Sequence, residues 1–487
     1  MALSAVLNSA RSSLAALSER TRTVSENIAN VDNPDYSRRI ASNVAGRHGV
    51  LRVSTSRAAD AEILAQMLEY SARQSADATR ADGLDKLGLI YGDVDSEVAP
   101  PALLSRLRAD MQALASAPDS ATAAARAVGT ARDLVNAINR GAETVADIRR
   151  QADAEIGQAV AHVNDLLRQF HEANAALMTG RLSDTERVQN EDTRDRVLVA
   201  LSEELDIRTV RQADGGMAIY TTDGAVLYER GVRPVRYEPT PALVSGAPGG
   251  RVIIDNVPVT GDGAVMKLKS GHIAGLLRLR DDVAASWQVQ LDELARGLVE
   301  TFAEQDQSGS GLPDAAGLFT WSGAPALPPA GAHQPGLARE LRLNPLVDPQ
   351  AGGNPFLLRD GGLAGAAYVY NASGQAGYTD RLLQLAGALD APRAFDAAAG
   401  LEPVTSIADF ARQAVSWLQE NRAQAHREKD YSTALLSRAS DALSRATGVD
   451  LDQELTVMMQ LERTYQATAR VLSTVNGMLD SLMQSMR

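Results

Sequence analysis

The chain reads as mainly α: an elongated bundle of long helices, with paired coiled-coil-like helices at its two ends and a small β-rich insert. Three observations predict this. Both ends carry a strict apolar heptad seam, Leu3, Leu7, Ala10, Leu14, Leu17, Thr21, Val24 and Ile28 at the start and Leu461, Tyr465, Thr468, Leu472, Val475, Leu479, Leu482 and Met486 at the finish. Alternating steps of four and three lie along one side of a helix, the pattern of helices packed lengthwise. The stretch 120–178 keeps a helical apolar period throughout, and a helix of that length spans on the order of 80 Å. Only between Asp206 and His272 does the pattern change to short apolar runs split by Gly-Gly, Asp-Gly and Pro, as in strands joined by turns. Matched seams at the two ends point to pairing with each other or with neighbouring subunits, the logic of a polymer-forming protein.

The elements follow in order. Residues 1–31 form one helix, stopped by Asn30-Val31-Asp32-Asn33-Pro34, because the residue before a proline leaves the α region and Asn and Asp favour turns. Residues 35–57 are polar and partly β-like, an extended linker or short hairpin. Helices follow over about 58–91 and from Pro100-Pro101 to about Ala115. In 120–178 the seam runs through Val128, Ala131, Val135, Ile138, Ala142 and Val145, and resumes at Ile156. Helix returns over 273–306, residues 307–365 are loop-like and rich in Gly, Pro and Ala, and helical patterns resume at 379–390, 405–446 and 450–486. The expected domains are 1–33 with 450–487 (terminal helices), 34–205 with 273–306 and 366–449 (elongated bundle), 206–272 (β-rich insert) and 307–365 (Gly/Pro-rich loop region).

Composition narrows the function. At 487 residues, several domains are expected. Aromatics are only 4% against 45% apolar residues, the balance of long helices packed through small side chains. A net charge of −13 offers no basic face for nucleic acid. Arg38-Arg39 and Arg149-Arg150 are basic pairs diluted by acids, expected on solvated helix faces. The absence of cysteine excludes disulfides, thiolate metal sites and cysteine nucleophiles. It also suits a chain bound for an oxidising exterior. Arg11, Glu19, Arg20 and Arg22 interrupt any signal-peptide core, and no apolar run is long enough to span a membrane. Export therefore needs a route without a cleaved leader.

Chemical motifs are weak. None of the six histidines has the spacing of a helical zinc pair. Gly261-Asp262-Gly263-Ala264-Val265-Met266-Lys267 lacks the glycine before the lysine and the Ser/Thr after it that a phosphate loop needs, so a β-turn is expected. Ser308-Gly309-Ser310-Gly311 reads as a flexible linker. Asp450, Asp452 and Glu454 form a compact acidic cluster, best read as a helix start with Asp450 as N-cap and Gln453 at the third position. No catalytic, metal or cofactor-binding residues are assigned.

The segment Ser25-Glu26-Asn27-Ile28-Ala29-Asn30-Val31-Asp32-Asn33-Pro34-Asp35-Tyr36-Ser37-Arg38 resembles the N-terminal motif of flagellar rod, hook and hook-associated proteins. Three further segments narrow the resemblance to the FlgK-type hook-associated family. They are Thr193–Arg196 continuing to Leu205-Asp206-Ile207 and Asp214-Gly215-Gly216; Gly271-His272-Ile273-Ala274-Gly275-Leu276-Leu277 with Arg280-Asp281 and the helix 290–295; and Gly448–Asp452 with Tyr465-Gln466-Ala467 and Ala469-Arg470-Val471-Leu472. Asn33 and Asp35 stand where the family usually has Thr and Gly, so a strained turn at Asp35 is expected. The stretch 307–400 is short where many members carry larger outer domains.

Against two alternatives, another axial protein (hook, rod or distal junction subunit) and, in a different class, a cell-wall hydrolase in the β insert, the resemblance implies a structural junction subunit, not an enzyme. Such proteins are secreted through the flagellar type III apparatus, pass transiently through the cytoplasm, and assemble as a ring between hook and filament. Their expected partners are the hook protein, a distal junction protein, copies of the same chain, and a FlgN-type export chaperone. The terminal helices would form the innermost tube, the longer helices the next layer, and the β insert the outer face. Leu3, Leu7, Leu14, Leu17, Val24, Asn27, Ile28, Asn30, Pro34, Tyr36, Leu461, Tyr465, Leu472, Val475, Leu479 and Leu482 are the expected assembly residues. Leu461, Tyr465, Leu472, Val475 and Leu479 are expected to meet the chaperone. Since short isolated helices are marginal without neighbours, disordered termini are expected in a free monomer.

Overall fold

A computed structural model describes residues 2–45, 51–91, 96–240, 242–261 and 263–485. Helix α1 (Ala2–Ala29) leads into an antiparallel hairpin of β1 (Arg39–Ala45) and β2 (Leu51–Arg57), with Arg39 opposite Arg57. Helices α2 (Ala61–Tyr91), α3 (Pro100–Ser116), α4 (Ala121–Met178) and α5 (Asp184–Glu204) follow. Their starts are chemically specified. Prolines fill the first turn of α3, where a missing N–H costs little. The Ser120 side chain accepts from Ala123 N to open α4, and Ser183 and Glu186 cap α5 reciprocally. The seam expected in α4 is buried from Val128 to Phe170.

The insert is two three-stranded antiparallel sheets. One is β3 (Ile207–Arg211), β4 (Met217–Thr221) and β5 (Val226–Tyr228); the other is β6 (Val235–Glu238), β7 (Arg251–Ile254) and β8 (Val257–Pro258). Gly215, at φ +85°, makes the first hairpin turn, a conformation that glycine adopts freely. In the Gly261–Lys267 segment, Asp262 lies outside the described residues. Asp206, at the root of the insert, is 4% exposed, and burial pushes its carboxyl up to about 6. A carboxyl raised above its unfolded value near 4 is favoured folded when protonated. It therefore opposes folding progressively from about pH 4 to 6, and by up to about 3 kcal/mol above that. Asp206→Asn is expected to raise the urea midpoint at pH 8 and leave it nearly unchanged at pH 4.

The chain returns through α6 (His272–Leu277), a π-helical turn over Arg278–Val283 and α7 (Ala284–Thr301). The helix expected to reach 306 stops at Thr301, because Glu304 turns aside to exchange backbone hydrogen bonds with Ala315. Residues 307–365 hold only short pieces, β9 (Phe319–Thr320), α8 (Leu337–Glu340), β10 (Arg342–Leu343) and α9 (Leu357–Asp360). The region is irregular, as expected, but it is packed rather than loose. Phe319, Leu337, Leu341, Val347 and Leu358 are buried. The buried Asp292 of α7 holds the region by accepting from Gly336 N (2.9 Å) and Ala338 N (2.8 Å). The segment expected to be a flexible linker is likewise an ordered turn: Asp306 accepts from the amides of Ser308, Gly311 and Leu312. The chain closes with α10 (Asp380–Ala388), β11 (Arg393–Ala394), β12 (Val404–Thr405), α11 (Ile407–Thr447) and α12 (Leu451–Ser485).

The molecule is thus mainly α, with three apolar cores among the described residues. The largest joins α2, α3, the first part of α4, α7, α10 and α11 with the 307–365 region. A second joins the latter part of α4 with α5 and both insert sheets. A small third core joins α1 to α12. Two of the basic pairs expected on solvated faces are placed otherwise. Arg149 is 1% exposed, whereas Arg150 is out in solvent. Arg38 and Arg39 sit in an ion-paired junction at the start of β1, because acids from distant helices converge there.

Candidate assembly site

Asn27 is the last buried polar residue of α1, and its amide group organises the chain reversal that follows. Its Nδ2 donates to Arg39 O (3.0 Å), while its Oδ1 accepts from Tyr36 OH (2.8 Å) and Arg39 N (2.9 Å). Asn30 Nδ2 caps back onto Glu26 O at 2.9 Å. Asn33 Oδ1 accepts from Asp35 N at 3.1 Å, an Asx-turn that carries the backbone around without a left-handed residue. The strain expected at Asp35 is absent: the described non-glycine residues with positive φ are Asp255 and Asn256. Tyr36 lies under the Arg39 guanidinium, 4.5 Å from the ring centroid, and burial pushes its hydroxyl up to about 12.

From this turn, ion pairs reach two distant helices and a backbone hydrogen bond reaches a third. Arg38 N donates to Thr447 O at 2.8 Å, and Arg38 Nε meets the buried Glu454 at 2.7 Å. Asp450 caps α12 as expected, accepting from Gln453 N at 3.0 Å. Arg39 pairs with Asp192 (2.5 Å), and Arg57 pairs with Glu191, Asp192 and Asp195 (3.1, 3.1 and 2.5 Å). The end of α1, the hairpin, α5, the end of α11 and the start of α12 therefore share one root. A cleft of about 660 Å³ opens beside it, between residues 30–37, α2, α5 and the end of α11.

Along the paired helices, Leu17, Val24 and Leu461 form the buried core, with Ile28, Val457 and Met458 against it. Val475 is also buried, and Leu7, Leu14, Leu472 and Leu479 are half-buried. Asn30 and Tyr36 are half-buried and Pro34 is exposed. The side chains of Leu3 and Leu482, and all of Met486, lie outside the described residues. Tyr465 is 45% exposed, since four residues from Leu461 rotate it about 40° toward the flank of the pair. Leu451, Leu455, Met459, Val471 and Met478 are exposed on the flanks of α12 as well. Both end helices are formed in the single chain, contrary to the expectation of disordered termini, because each supplies the other's neighbour. Sequence reading did not assign Arg39, Arg57, Asp192, Asp195 or Glu454 to the site. The available signal was charge complementarity between the arginines of 38–57 and the acids of 184–195.

Among the described residues no group of three or more His, Asp or Glu side chains is arranged to hold a metal ion, and no helix is long and apolar enough to cross a membrane. Residues 85–319 match the family model of the flagellar hook-associated protein FlgK helical domain. Residues 443–485 match that of the flagellar basal body rod FlgEFG protein C-terminal region. Flagellar hook-associated protein 1 of Salmonella typhimurium is 24% identical over 328 residues, 63% of this chain and 57% of that protein. The chain thus spans little more than half the length of that FlgK-type relative. The protein of the same name from Bacillus subtilis is 20% identical over 99% of this chain and 98% of its own. The solved structure of the flagellar hook junction protein FlgK from Burkholderia pseudomallei has a TM-score of 0.43 and 18% identity, covering 53% of this chain and 47% of that one.

Proposed function

We propose that this protein is a structural subunit of the bacterial flagellum that forms the junction between hook and filament. The observation that carries the reading is the shared root: Asn27, Tyr36 and Arg38 join the end of α1 to the start of α12 through Glu454. The two seam helices then leave one point as a pair, the arrangement a tube-forming element needs. In this reading the terminal unit (1–33 and 450–487) lines the inner tube, the bundle forms the next layer and the 206–272 insert faces outward. The residues of the two seams and of the 27–36 turn make the contacts within the ring and with the hook and distal junction proteins. The chain acts mechanically and not as an enzyme, and leaves the cytoplasm through the flagellar export apparatus. The C-terminal seam is held by a FlgN-type chaperone until then, since exposed Leu, Met and Tyr side chains on α12 are an aggregation hazard.

The direct test is electron microscopy of cells lacking the gene, with flagellin measured in the medium. Hooks without filaments, and shed flagellin, are expected; normal filaments would reject the junction role. The match of 443–485 to rod proteins favours, as second reading, another axial subunit, for which loss of the hook itself would speak. At the level of the seam, Leu461→Ala removes a side chain buried between Leu17 and Val24 and is expected to cost about 2–4 kcal/mol at that site. Chaperone pull-down and filament counts should both fall while α4 keeps its amide protection. Undiminished chaperone binding and filaments would remove Leu461 from the interface.

A further inference from the structure

Along the continuous helix α4 the apolar packing changes hands. Residues up to Ile148 belong to the core shared with α3, α7 and α11, and residues from Ala152 belong to the core shared with α5 and the insert. Arg149 stands between them. Its Nε donates to Arg280 O (3.1 Å), its Nη1 to Val244 O (2.9 Å) and Gln288 Oε1 (3.0 Å), and its Nη2 to Ala247 O. At the same level the chain passes through the π-helical turn 278–283, an irregularity that often marks functional sites in helices. From it Arg280, 1% exposed, reaches Asp153 (2.6 Å), Tyr237 OH (2.7 Å), Gly250 O (2.7 Å) and the neighbouring Asp281. Asp281 in turn accepts from Gly249 N at 2.9 Å. A Cβ at Gly249 would collide with the Arg280 guanidinium. Helix α2 crosses this level on the small buried residues Ala72 and Ala76, with Gly275 set against the Ala76 backbone.

We propose that the Arg149–Arg280 layer is a directional joint that sets the angle between two separately packed bodies of the molecule. Apolar packing is non-directional, whereas planar guanidinium groups with most donors engaged fix orientation as well as distance. The layer replaces a continuous core by hydrogen bonds that hold one angle. Without them, α4 and α2 are left to bend between two intact cores. This inference goes beyond the junction role and is independent of it, because the test is made on the isolated chain.

The chain has no cysteine, so Arg126→Cys and Glu229→Cys, both at exposed positions on the two bodies, give one clean pair of spin labels. The full chain is expected to give one narrow distance distribution by pulsed electron paramagnetic resonance. Gly249→Ala, which displaces the loop from Arg280, should broaden or shift that distribution at least twofold in width. Tyr237→Phe, which keeps the packing and removes one partner, should do so to a smaller degree. Amide exchange in 123–148 and 156–170 should stay as in the unsubstituted chain in both variants. An unchanged narrow distribution in folded variants would overturn the proposal. So would a joint loss of protection in both cores, which would make the layer part of one cooperative core.

Discussion

Arg296→Met is expected to destabilise the helical body by about 3–5 kcal/mol, the cost of leaving a buried carboxylate without its counter-charge. Arg296 and Glu293 are both 0% exposed and paired at 2.7 and 2.9 Å on one face of α7. Arg296 also pairs with Glu300 (2.5 Å) and donates to Ala394 O (2.7 Å), while Glu293 accepts from Asp396 N at 2.7 Å. The cluster thereby fastens the strand at β11 to the middle of the body. Urea unfolding at neutral pH gives the test. The double variant Glu293→Gln/Arg296→Met should recover much of the loss, since a buried pair replaced as a pair is often nearly neutral. If the single variant costs under about 1 kcal/mol, water reaches the site and the pair is not desolvated as described.

Asn27→Ala carries the second large effect, on docking of the ends rather than on the body. Three hydrogen bonds disappear, and the part-buried amide and carbonyl of Arg39 lose their partner together with Tyr36 OH. Each buried group left unsatisfied costs about 1–3 kcal/mol, and Tyr36 can find water, so roughly 3 kcal/mol is expected. Amides at the end of α1 and the start of α12 should then exchange faster, with α4 and α7 unchanged. Asn27→Asp keeps an acceptor for Tyr36 OH and Arg39 N but buries a charge and sets a carboxylate oxygen against Arg39 O, so it too should loosen the root. Equal exchange in wild type and Asn27→Ala would mean that the helix contacts alone hold the root.

The regular helices were legible because their signals are local. Pro100-Pro101, Ser120, the Ser183–Glu186 pair and Asp450 mark starts, and the periodic seam of α4 marks a buried face. The insert was legible from its turns, with Asp214-Gly215-Gly216 shaping the first hairpin. What escaped depends on partners far along the chain. Nothing near Arg149 in sequence announces that its acceptors are Val244, Ala247 and Gln288. The packed state of 307–365 depends on Asp292, whose carboxylate looks like any other acid until Gly336 and Ala338 arrive. At the candidate site the segment through Asn27, Tyr36 and Arg38 stood out in the sequence as a motif. Its function as a root needed Glu454 and Asp192, which only tertiary structure brings to it.

The single root of the two end helices has a mechanical corollary. Arg38–Glu454 and the Leu17–Val24–Leu461 core hold the pair near one end, and farther out the buried contacts thin to the small side chains of Ala10 and Val475 among half-buried Leu7, Leu14, Leu472 and Leu479. The pair is therefore a double cantilever, stiff at its base and compliant toward its tips. Wherever the pair packs lengthwise against other helices, its tips adapt to their curvature while its base keeps the two helices in register.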